Sequence, residues 1–150
     1  MKTIIFILSI FLATSCSSDD NNQTSQSTTI TFTEIGKGVL DGNGSEGIVQ
    51  SNLVIANNTD WQNLMNQMNS VNNITDNFSE TNIDFNTYQI IAIFKEVKPT
   101  NWEVEISSIV ENANNLSVSV VETEYDFTVV TQPFHIIKIS KTNKEIVFEQ

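Results

Sequence analysis

An almost unbroken apolar run, Ile90-Ile91-Ala92-Ile93-Phe94, stands near the middle of this 150-residue chain. Strands with one solvated face alternate apolar with polar residues, whereas strands buried on both faces are apolar throughout. The run is therefore typical of a central strand with packed layers on either side. We predict this strand over residues 88–97 and expect the other elements to assemble around it.

Shorter segments on both sides of this run are also predicted to be strands, and those at residues 28–35, 102–106 and 116–120 alternate apolar and polar residues, which is the pattern of half-buried strands. They fall at residues 28–35, 48–55, 102–106, 116–120, 134–139 and 146–148. The first two are predicted to pair with each other across a glycine-rich loop. Pro99 and Pro133 are expected between strands, because proline cannot donate a hydrogen bond to a sheet.

One main short helix is predicted at about residues 60–69. Four apolar residues have the i, i+3, i+4 and i+7 spacing that forms one stripe for the core: Trp61, Leu64, Met65 and Met68. The preceding Asn58-Thr59-Asp60 offers side chains that cap a helix. About seven strands in a mainly antiparallel β-sheet, together with this helix, place the domain in the α+β class.

The first residues have the pattern of a secretory signal peptide. Lys2 precedes an apolar run from Ile4 to Ala13, which is too short to span a membrane as a mature helix. The single cysteine, Cys16, stands at the cleavage position and resembles the lipidated cysteine of bacterial lipoproteins. We predict a signal peptide over residues 1–15 and a covalent lipid on Cys16. The alternative is an ordinary secretory signal followed by a free thiol.

Residues 16–29 are predicted to be the lipidated cysteine and a disordered polar tether, since residues 17–29 contain no apolar side chain. The tract Ser17-Ser18-Asp19-Asp20-Asn21-Asn22 is similar to the acidic tract that follows the lipidated cysteine of Bacteroidetes-type lipoproteins, in which it accompanies export to the cell surface. Several acyl chains hold a protein firmly on a membrane. We therefore expect an outer-membrane lipoprotein at the cell surface or periplasmic face, with a single folded domain over residues 30–150.

The charge of the chain is strongly unbalanced. It carries 18 acidic residues against seven lysines and no arginine, a formal net charge of −11. Neutralising the phosphates of a nucleic acid needs basic patches, so we expect no nucleic-acid partner. Anionic lipids repel such an acidic chain, so contact with a membrane is expected only through the lipid anchor.

The sequence offers no clear catalytic device, and a non-enzymatic protein without cofactor or metal is predicted. The single histidine, His135, is interpreted as a surface residue of a strand. Glu122 and Glu124 share a strand face, which is common on solvated sheets. The segment Asp41-Gly42-Asn43-Gly44-Ser45-Glu46 begins like a calcium-binding EF-hand loop, but Glu46 stands where glycine is required. A plain turn is favoured there.

The segment Lys98-Pro99-Thr100-Asn101-Trp102 is the predicted partner-binding site. Pro99 restricts the backbone, which lowers the entropy cost of presenting a loop to a partner. Trp102 offers a large amphipathic surface of the kind that dominates protein interfaces. The alternative is that Trp102 opens a strand and packs in the core.

Six short segments of the folded part carry a family resemblance. They are Asp60-Trp61-Gln62-Asn63-Leu64, Ile83-Asp84-Phe85, Ile90–Phe94, Lys98-Pro99-Thr100, Leu116-Ser117-Val118 and Thr131–Ile139. In this order they resemble the PrcB C-terminal-like domain family, over about residues 45–150. That family is named for a lipoprotein subunit of a surface protease complex. The resemblance implies a non-catalytic lipoprotein that assists or stabilises a partner, in the named case a secreted protease.

The predicted binding turn has a counterpart in this family, where it usually contains Pro-Thr-Gly-Gly-Tyr. That turn is similar to the Pro-Thr-Thr-Gly-Tyr loop of chagasin-type cysteine-protease inhibitors, which enters a protease cleft. Pro99-Thr100-Asn101-Trp102 lacks both glycines and is one residue shorter. Asn101 tolerates left-handed backbone angles better than most residues, which allows a comparable turn.

Three functional hypotheses remain open from the sequence. The leading one is a membrane-anchored lipoprotein that binds a protein partner, such as a secreted or surface protease for which it is an accessory or stabilising subunit. The second is a protease inhibitor that acts through the Pro99–Trp102 turn. The third is a surface lipoprotein that binds a small molecule or glycan, with Trp102, Tyr88 or Tyr125 as stacking surfaces.

Overall fold

The structure, a computed structural model, describes residues 27–40, 44–126 and 128–149. These residues contain eight β-strands, one α-helix and one 3-10 helix. The strands are β1 (Thr28–Thr29), β2 (Thr33–Leu40), β3 (Ser51–Ile55), β4 (Tyr88–Phe94), β5 (Asn101–Glu111), β6 (Asn115–Tyr125), β7 (Gln132–Ser140) and β8 (Glu145–Glu149). The helix α1 spans Asn58–Met68, and the 3-10 helix spans Ile74–Asn77.

The strands form two four-stranded sheets that pack against each other. The first sheet has the strand order β1-β5-β6-β8, and the second has the order β2-β7-β4-β3. Neighbouring strands are antiparallel except β6 and β8, which run parallel. The prediction of a mainly antiparallel α+β fold with one main helix is confirmed, with eight strands in place of about seven.

The core has two layers, one on each face of the second sheet. The layer between the sheets contains nine buried residues: Ile91, Ile93, Val104, Ile106, Ile109, Leu116, Val118, Ile137 and Ile139. The layer on the other face lies beneath α1, which contributes its predicted stripe of Trp61, Leu64, Met65 and Met68. The domain therefore has three layers, in the order first sheet, second sheet and α1.

The central strand β4 lies in the middle of these three layers, between β7 and β3. Ile91 and Ile93 belong to the core between the sheets, while the even-numbered residues of the run pack beneath α1. The prediction of a strand buried on both faces is confirmed, although β4 ends at Phe94 instead of Val97. This burial explains why the run carries no polar residue.

Helix α1 begins two residues earlier than predicted. Asn57 is the N-cap, and its side-chain oxygen accepts a hydrogen bond from the backbone N–H of Asp60 at 3.0 Å. Its side-chain N–H donates to the Asp60 carboxylate at 2.7 Å. The cap therefore lies one residue before the predicted Asn58-Thr59-Asp60 segment, which forms the first turn. Asp60 also places a negative charge near the positive end of the helix dipole.

The single N-terminal strand predicted over residues 28–35 is wrong. β1 pairs with the end of β5 in the first sheet, whereas β2 pairs with β7 in the second sheet. Ile30 and Phe32 lie between the two strands and pack against the core between the sheets. The chain crosses from one sheet to the other here, and the alternation of apolar and polar residues continues through the crossing. β3 pairs with β4. The prediction that it pairs with the first strand is therefore wrong.

Pro133 lies inside β7 and not between strands, contrary to the prediction. Its carbonyl accepts a hydrogen bond from the Lys95 N–H at 3.0 Å, but proline has no N–H to return to the Lys95 carbonyl. The buried Gln132 side chain supplies the missing donor. Its Nε2 donates to the carbonyls of Lys95 at 3.0 Å and Ile48 at 2.8 Å. The second sheet therefore accommodates a proline next to β4.

Candidate functional site

Three loops meet at one end of the domain. They follow β2, β4 and β6, and their described residues are 44–50, 95–100, 126 and 128–131. Two of them are joined by a bridge between Lys98 and Thr131, with N–H···O distances of 2.7 and 3.0 Å. We call the described residues of these loops, with the adjoining ends of β2, β5 and β6, the loop end. Loops on a rigid scaffold are where binding residues concentrate.

The predicted binding segment, Lys98–Trp102, forms a well-anchored turn in the loop end. In addition to the bridge at Lys98, the Thr131 hydroxyl donates to the Thr100 carbonyl at 3.1 Å. The Thr100 hydroxyl in turn donates to the Glu124 carboxylate at 2.9 Å. Pro99 is exposed between these anchors. A turn held on both sides loses little conformational entropy when a partner binds it.

Trp102 is half-buried and lies outside both core clusters of the described residues. Its indole N–H donates to the Thr100 hydroxyl at 2.8 Å. The Lys98 ammonium lies 4.6 Å from the centroid of the indole ring. Such a cation over an indole face contributes about 0.5–1 kcal/mol at an exposed site. The structure therefore favours the prediction of a surface tryptophan over the alternative of a core residue.

Lysine and glutamate side chains alternate around this turn. Lys98 lies 2.9 Å from Glu96 and 3.9 Å from Glu122. The hydrogen bond to Glu96 is the main cause that raises the pKa of Lys98, and the same bond lowers the pKa of Glu96. Lys95, which is 2% exposed, pairs with Glu122 at 2.9 Å. Glu122 and Glu124, predicted to share a solvated face, each bond a different partner at the loop end.

A cleft of about 250 Å³ opens beside the turn, between β2 and the start of β5. We call it the edge cleft. Its lining residues are Lys37, Gly38, Val39, Asn101, Trp102, Glu103 and Tyr125. Two residues of the predicted turn, Asn101 and Trp102, thus form part of one wall. The cleft places the rings of Trp102 and Tyr125 at one site.

A charged pair joins the two walls of the edge cleft. Lys37 Nζ lies 2.7 Å from Glu103 Oε1 and 4.0 Å from Glu105 Oε1. The Tyr125 hydroxyl donates to Glu103 Oε2 at 2.9 Å. The bond from Lys37, followed by that from Tyr125, lowers the pKa of Glu103, and the bonds to Glu103 raise the pKa of Lys37 and of Tyr125. Glu103 is therefore held as a carboxylate at neutral pH.

Exposed apolar side chains are concentrated at the loop end. Of the ten large apolar residues that are strongly exposed among those described, six lie here: Val39, Val49, Val97, Tyr125, Val129 and Val130. Single exposed apolar residues are ordinary, but a group of them next to a cleft is typical of an interaction surface. The loop end therefore combines apolar area with the paired charges described above.

The sequence identified only part of this site. It did not predict Lys37, Val39 and Glu103 as site residues, because the cleft forms between strands more than 60 residues apart in the chain. Tyr125 was named as a stacking residue and does join Trp102. Tyr88, named with it, lies at the start of β4 opposite Ser140, with Lys138 Nζ 4.7 Å from its ring centroid. It does not line the edge cleft.

The prediction that His135 is a surface residue is wrong, since this side chain is only 1% exposed. Because side chains alternate along a strand, His135 points away from α1. β7 is an interior strand of the second sheet, and both faces of this sheet are covered, so a side chain on either face of β7 is buried. Its Nδ1 accepts a hydrogen bond from the Ile106 N–H at 2.7 Å, so Nε2 carries the proton of the neutral ring. Nε2 lies 3.2 Å from the Glu34 carboxylate. Burial lowers the pKa of His135 below its usual value.

This burial predicts that the domain loses stability in mildly acidic solution. An unfolded histidine has a pKa of about 6.5, whereas the folded pKa is lower, so below about pH 7 the unfolded chain takes up a proton that the folded chain excludes. The free energy of unfolding should therefore fall from pH 7.5 to pH 5.5, with a slope of at most about 1.4 kcal/mol per pH unit. Urea denaturation at both pH values measures it.

The control for this prediction is His135→Asn, whose side-chain oxygen can accept the Ile106 N–H but does not titrate. Because the chain has one histidine, this variant should lose the slope between these pH values. Equal pH dependence in the variant and the natural chain would show that His135 is not its source.

No group of three His, Cys, Asp or Glu side chains is placed to hold a metal ion within residues 27–40, 44–126 and 128–149. None of the helices in these ranges is long and apolar enough to cross a membrane. Cys16 with its predicted lipid, and Asp41-Gly42-Asn43 of the calcium-like segment, lie outside the described residues. Comparison with known proteins found no matching family model, curated protein or solved structure.

Proposed function

We propose that this protein binds a protein partner through the loop end, while a lipid on Cys16 holds it on the outer membrane. The observation that carries the proposal is the anchored Lys98–Trp102 turn beside the edge cleft, within a concentration of exposed apolar side chains. Trp and Tyr are over-represented among the interface residues that dominate binding energy.

The dimensions of the loop end favour a macromolecular partner over a small molecule. The edge cleft measures about 250 Å³, which is below the roughly 300–1,000 Å³ of typical small-molecule sites. The exposed apolar residues extend from this cleft onto all three loops. A protein surface can cover the turn, the cleft and these residues together.

The partner we propose is a secreted or surface protease, in keeping with the resemblance to PrcB-like lipoproteins. The protein would act as an accessory subunit that binds the folded protease and not its unfolded chain. Binding of this kind stabilises the partner by RT ln(1 + [L]/Kd), about 2.7 kcal/mol when the free concentration is 100 times Kd. Such a role needs no catalytic group on this chain.

Inhibition of a protease through the Pro99–Trp102 turn is the second candidate. It is favoured by the exposure of Pro99 on a turn that Thr131 of the neighbouring loop already holds in place. The two roles differ in their effect on a purified protease. An inhibitor lowers its turnover as the dose rises, whereas a stabilising subunit lengthens its active lifetime at unchanged turnover.

Glycan binding is the third candidate, and it is favoured by the two aromatic rings that line the edge cleft. Trp102 and Tyr125 could stack on sugar rings, with Lys37 and Glu103 as hydrogen-bonding groups. Soluble oligosaccharides would then compete with any captured material. Loss of a captured protein on adding oligosaccharide would favour this role over direct protein binding.

The proposal predicts a stoichiometric partner that depends on the turn. The chain is tagged at its C-terminus, captured from gently solubilised native membranes, and compared with a variant in which residues 99–102 are replaced by a Gly/Ser turn. We expect a protein, in the leading case a protease, to accompany the natural chain and to be lost from the variant.

The matched control replaces Ala113 and Asn114, which are exposed at the opposite end of the domain between β5 and β6. This control should retain the partner. Absence of any stoichiometric partner from native membranes, or equal capture by the turn variant, would overturn the proposed function.

A further inference from the structure

β2 is the end strand of the second sheet, and its residues Lys37, Gly38 and Val39 line the edge cleft. β2 pairs with β7, and the carbonyl of Pro133 in β7 bonds toward β4. Because successive residues of a strand point their N–H and C=O groups to opposite sides, Phe134 faces β2 and bonds Gly38, its partner in register. Lys37 and Val39 therefore direct their N–H and C=O groups away from β7.

The start of β5 presents a second edge to the same cleft. Within the described residues, β1 covers only the far end of β5. The N–H of Ile106 points away from β6, since it donates to the His135 side chain. The two-residue alternation then directs the N–H and C=O groups of Val104 and Trp102 to the same side. Both walls of the edge cleft thus carry backbone donors and acceptors.

Edges of this kind are templates for an additional strand. Proteins commonly protect them with a lysine whose charge repels an incoming chain. Here Lys37 extends across to Glu103 at 2.7 Å, so its charge is already paired. Gly38 contributes no side chain to the wall, which leaves the backbone of β2 accessible from the cleft.

Carboxylates outnumber amines around the edge cleft. The exposed or half-exposed acidic residues are Glu34, Glu103, Glu105, Glu124 and Asp126. Lys37 and Lys98 are the nearby amines, and each is paired with a carboxylate. A second copy of this chain, with its net charge of −11, would be repelled, and so would its own acidic tract at Asp19-Asp20. A basic segment would be attracted.

We propose that the edge cleft takes an extended, basic segment of the partner polypeptide, which adds as a strand to the open edge of β2. This inference rests on the proposed function and specifies the chemistry of the partner. The N–H and C=O groups of Val39 bond the backbone of the segment, Trp102 and Tyr125 flank it, and the surrounding carboxylates attract its lysine or arginine side chains.

The test uses the purified mature chain and an immobilised array of random hexapeptides, acetylated and amidated at their ends. Half of the array carries lysine at alternate positions, and the other half carries glutamate there. We expect binding to lysine peptides and at least tenfold weaker binding to their glutamate counterparts. No bound peptide, or equal binding to both halves, would overturn the proposal.

Two substitutions at one position test the strand addition itself. Val39→Pro removes the N–H that faces the cleft but no bond to β7, because Val39 lies opposite Pro133 at a position where β2 faces outward. Val39→Ala keeps this N–H and is the matched control. The best lysine peptide should bind Val39→Pro about five- to tenfold more weakly than Val39→Ala, as expected for one lost main-chain hydrogen bond. Equal affinities would contradict strand addition.

N-methylated peptides test strand addition on the natural chain, so this result does not depend on whether Val39→Pro folds. N-methylation of the best lysine peptide at one set of alternate residues should abolish binding to the natural chain, whereas methylation at the other set should leave it within threefold. Equal effects of both sets would overturn the proposal.

The membrane capture experiment separates this inference from the proposed function. If Val39→Pro retains the captured protein as well as Val39→Ala does, while the turn variant loses it, strand addition fails and the proposed function stands. If the natural chain captures no protein at all, the proposed function fails, and the inference fails with it.

Discussion

Replacing Trp61 by alanine is expected to lower the free energy of unfolding by about 3–5 kcal/mol. Trp61 lies on the buried face of α1 and is fully buried, and its ring stacks on Phe78 with centroids 6.0 Å apart. Its indole N–H donates to the Thr81 carbonyl at 2.8 Å, which anchors the segment after the 3-10 helix. Alanine would leave a cavity and remove this donor. Urea denaturation measures the loss, which should appear as a lower midpoint at an unchanged m-value.

Two variants serve as controls for this prediction. Trp61→Phe keeps a ring for Phe78 and should lose clearly less stability than Trp61→Ala. Trp102→Ala removes the same side chain from outside both core clusters, so it should cost under about 1.5 kcal/mol. Equal losses for the two alanine variants would contradict the assignment of Trp61 to the core and Trp102 to the surface.

Trp102→Ala is expected to weaken binding of the captured partner by at least about 30-fold. This corresponds to the roughly 2 kcal/mol that defines an energetic hot spot. Trp102 stands in both the anchored turn and the edge cleft, so its loss removes the ring that joins the two surfaces. It also releases Lys98 from its position over the indole ring. Titration of the purified partner into each variant measures the change in Kd.

Tyr88→Ala is the matched control for the binding measurement. Tyr88, like Trp102, is a partly exposed aromatic residue with a lysine ammonium over its ring. It lies at the start of β4, whereas the loop end adjoins the other end of this strand. The partner should bind this variant within about threefold of the natural chain. A Trp102→Ala variant that binds as well as Tyr88→Ala would place the interface elsewhere.

The parts of the fold that follow a local period could be predicted from the sequence. The run at Ile90–Phe94 gave the central strand, since five adjacent apolar residues need cover on both faces. The stripe beginning at Trp61 gave α1, because a helix buries residues at this spacing wherever it packs. Pro99 and Trp102 also drew attention to one of the three loops of the loop end.

The parts that depend on pairing between distant segments could not be predicted. The alternation at residues 28–35 continues through the crossing between the sheets, so it carries no signal of the change in partner. Pro133 fits inside β7 because the neighbouring Gln132 supplies a hydrogen bond, and no local pattern requires that arrangement. His135 is buried because β7 has covered faces on both sides, which its own sequence does not reveal.

The edge cleft is a further case of this kind. β2 and β5 are not neighbours in either sheet, and their edges approach only because the two sheets pack together. Lys37 and Glu103 mark this approach by their 2.7 Å ion pair, but opposite charges 66 residues apart are too common in a sequence to identify a contact. The aromatic residue Tyr125 was recognisable as a candidate, while its position next to Trp102 was not.

Hydrogen exchange of the protein in complex with its captured partner is the most direct test of the account. Backbone amides are compared with and without the partner, and mass spectrometry of the peptides locates any slowed exchange. We expect slower exchange at residues 37–39, 95–104, 125–126 and 128–131, which belong to the loop end, and unchanged exchange at α1 and β8. Protection confined to α1 or β8, with the loop end unchanged, would contradict the claim that the partner binds at the loop end.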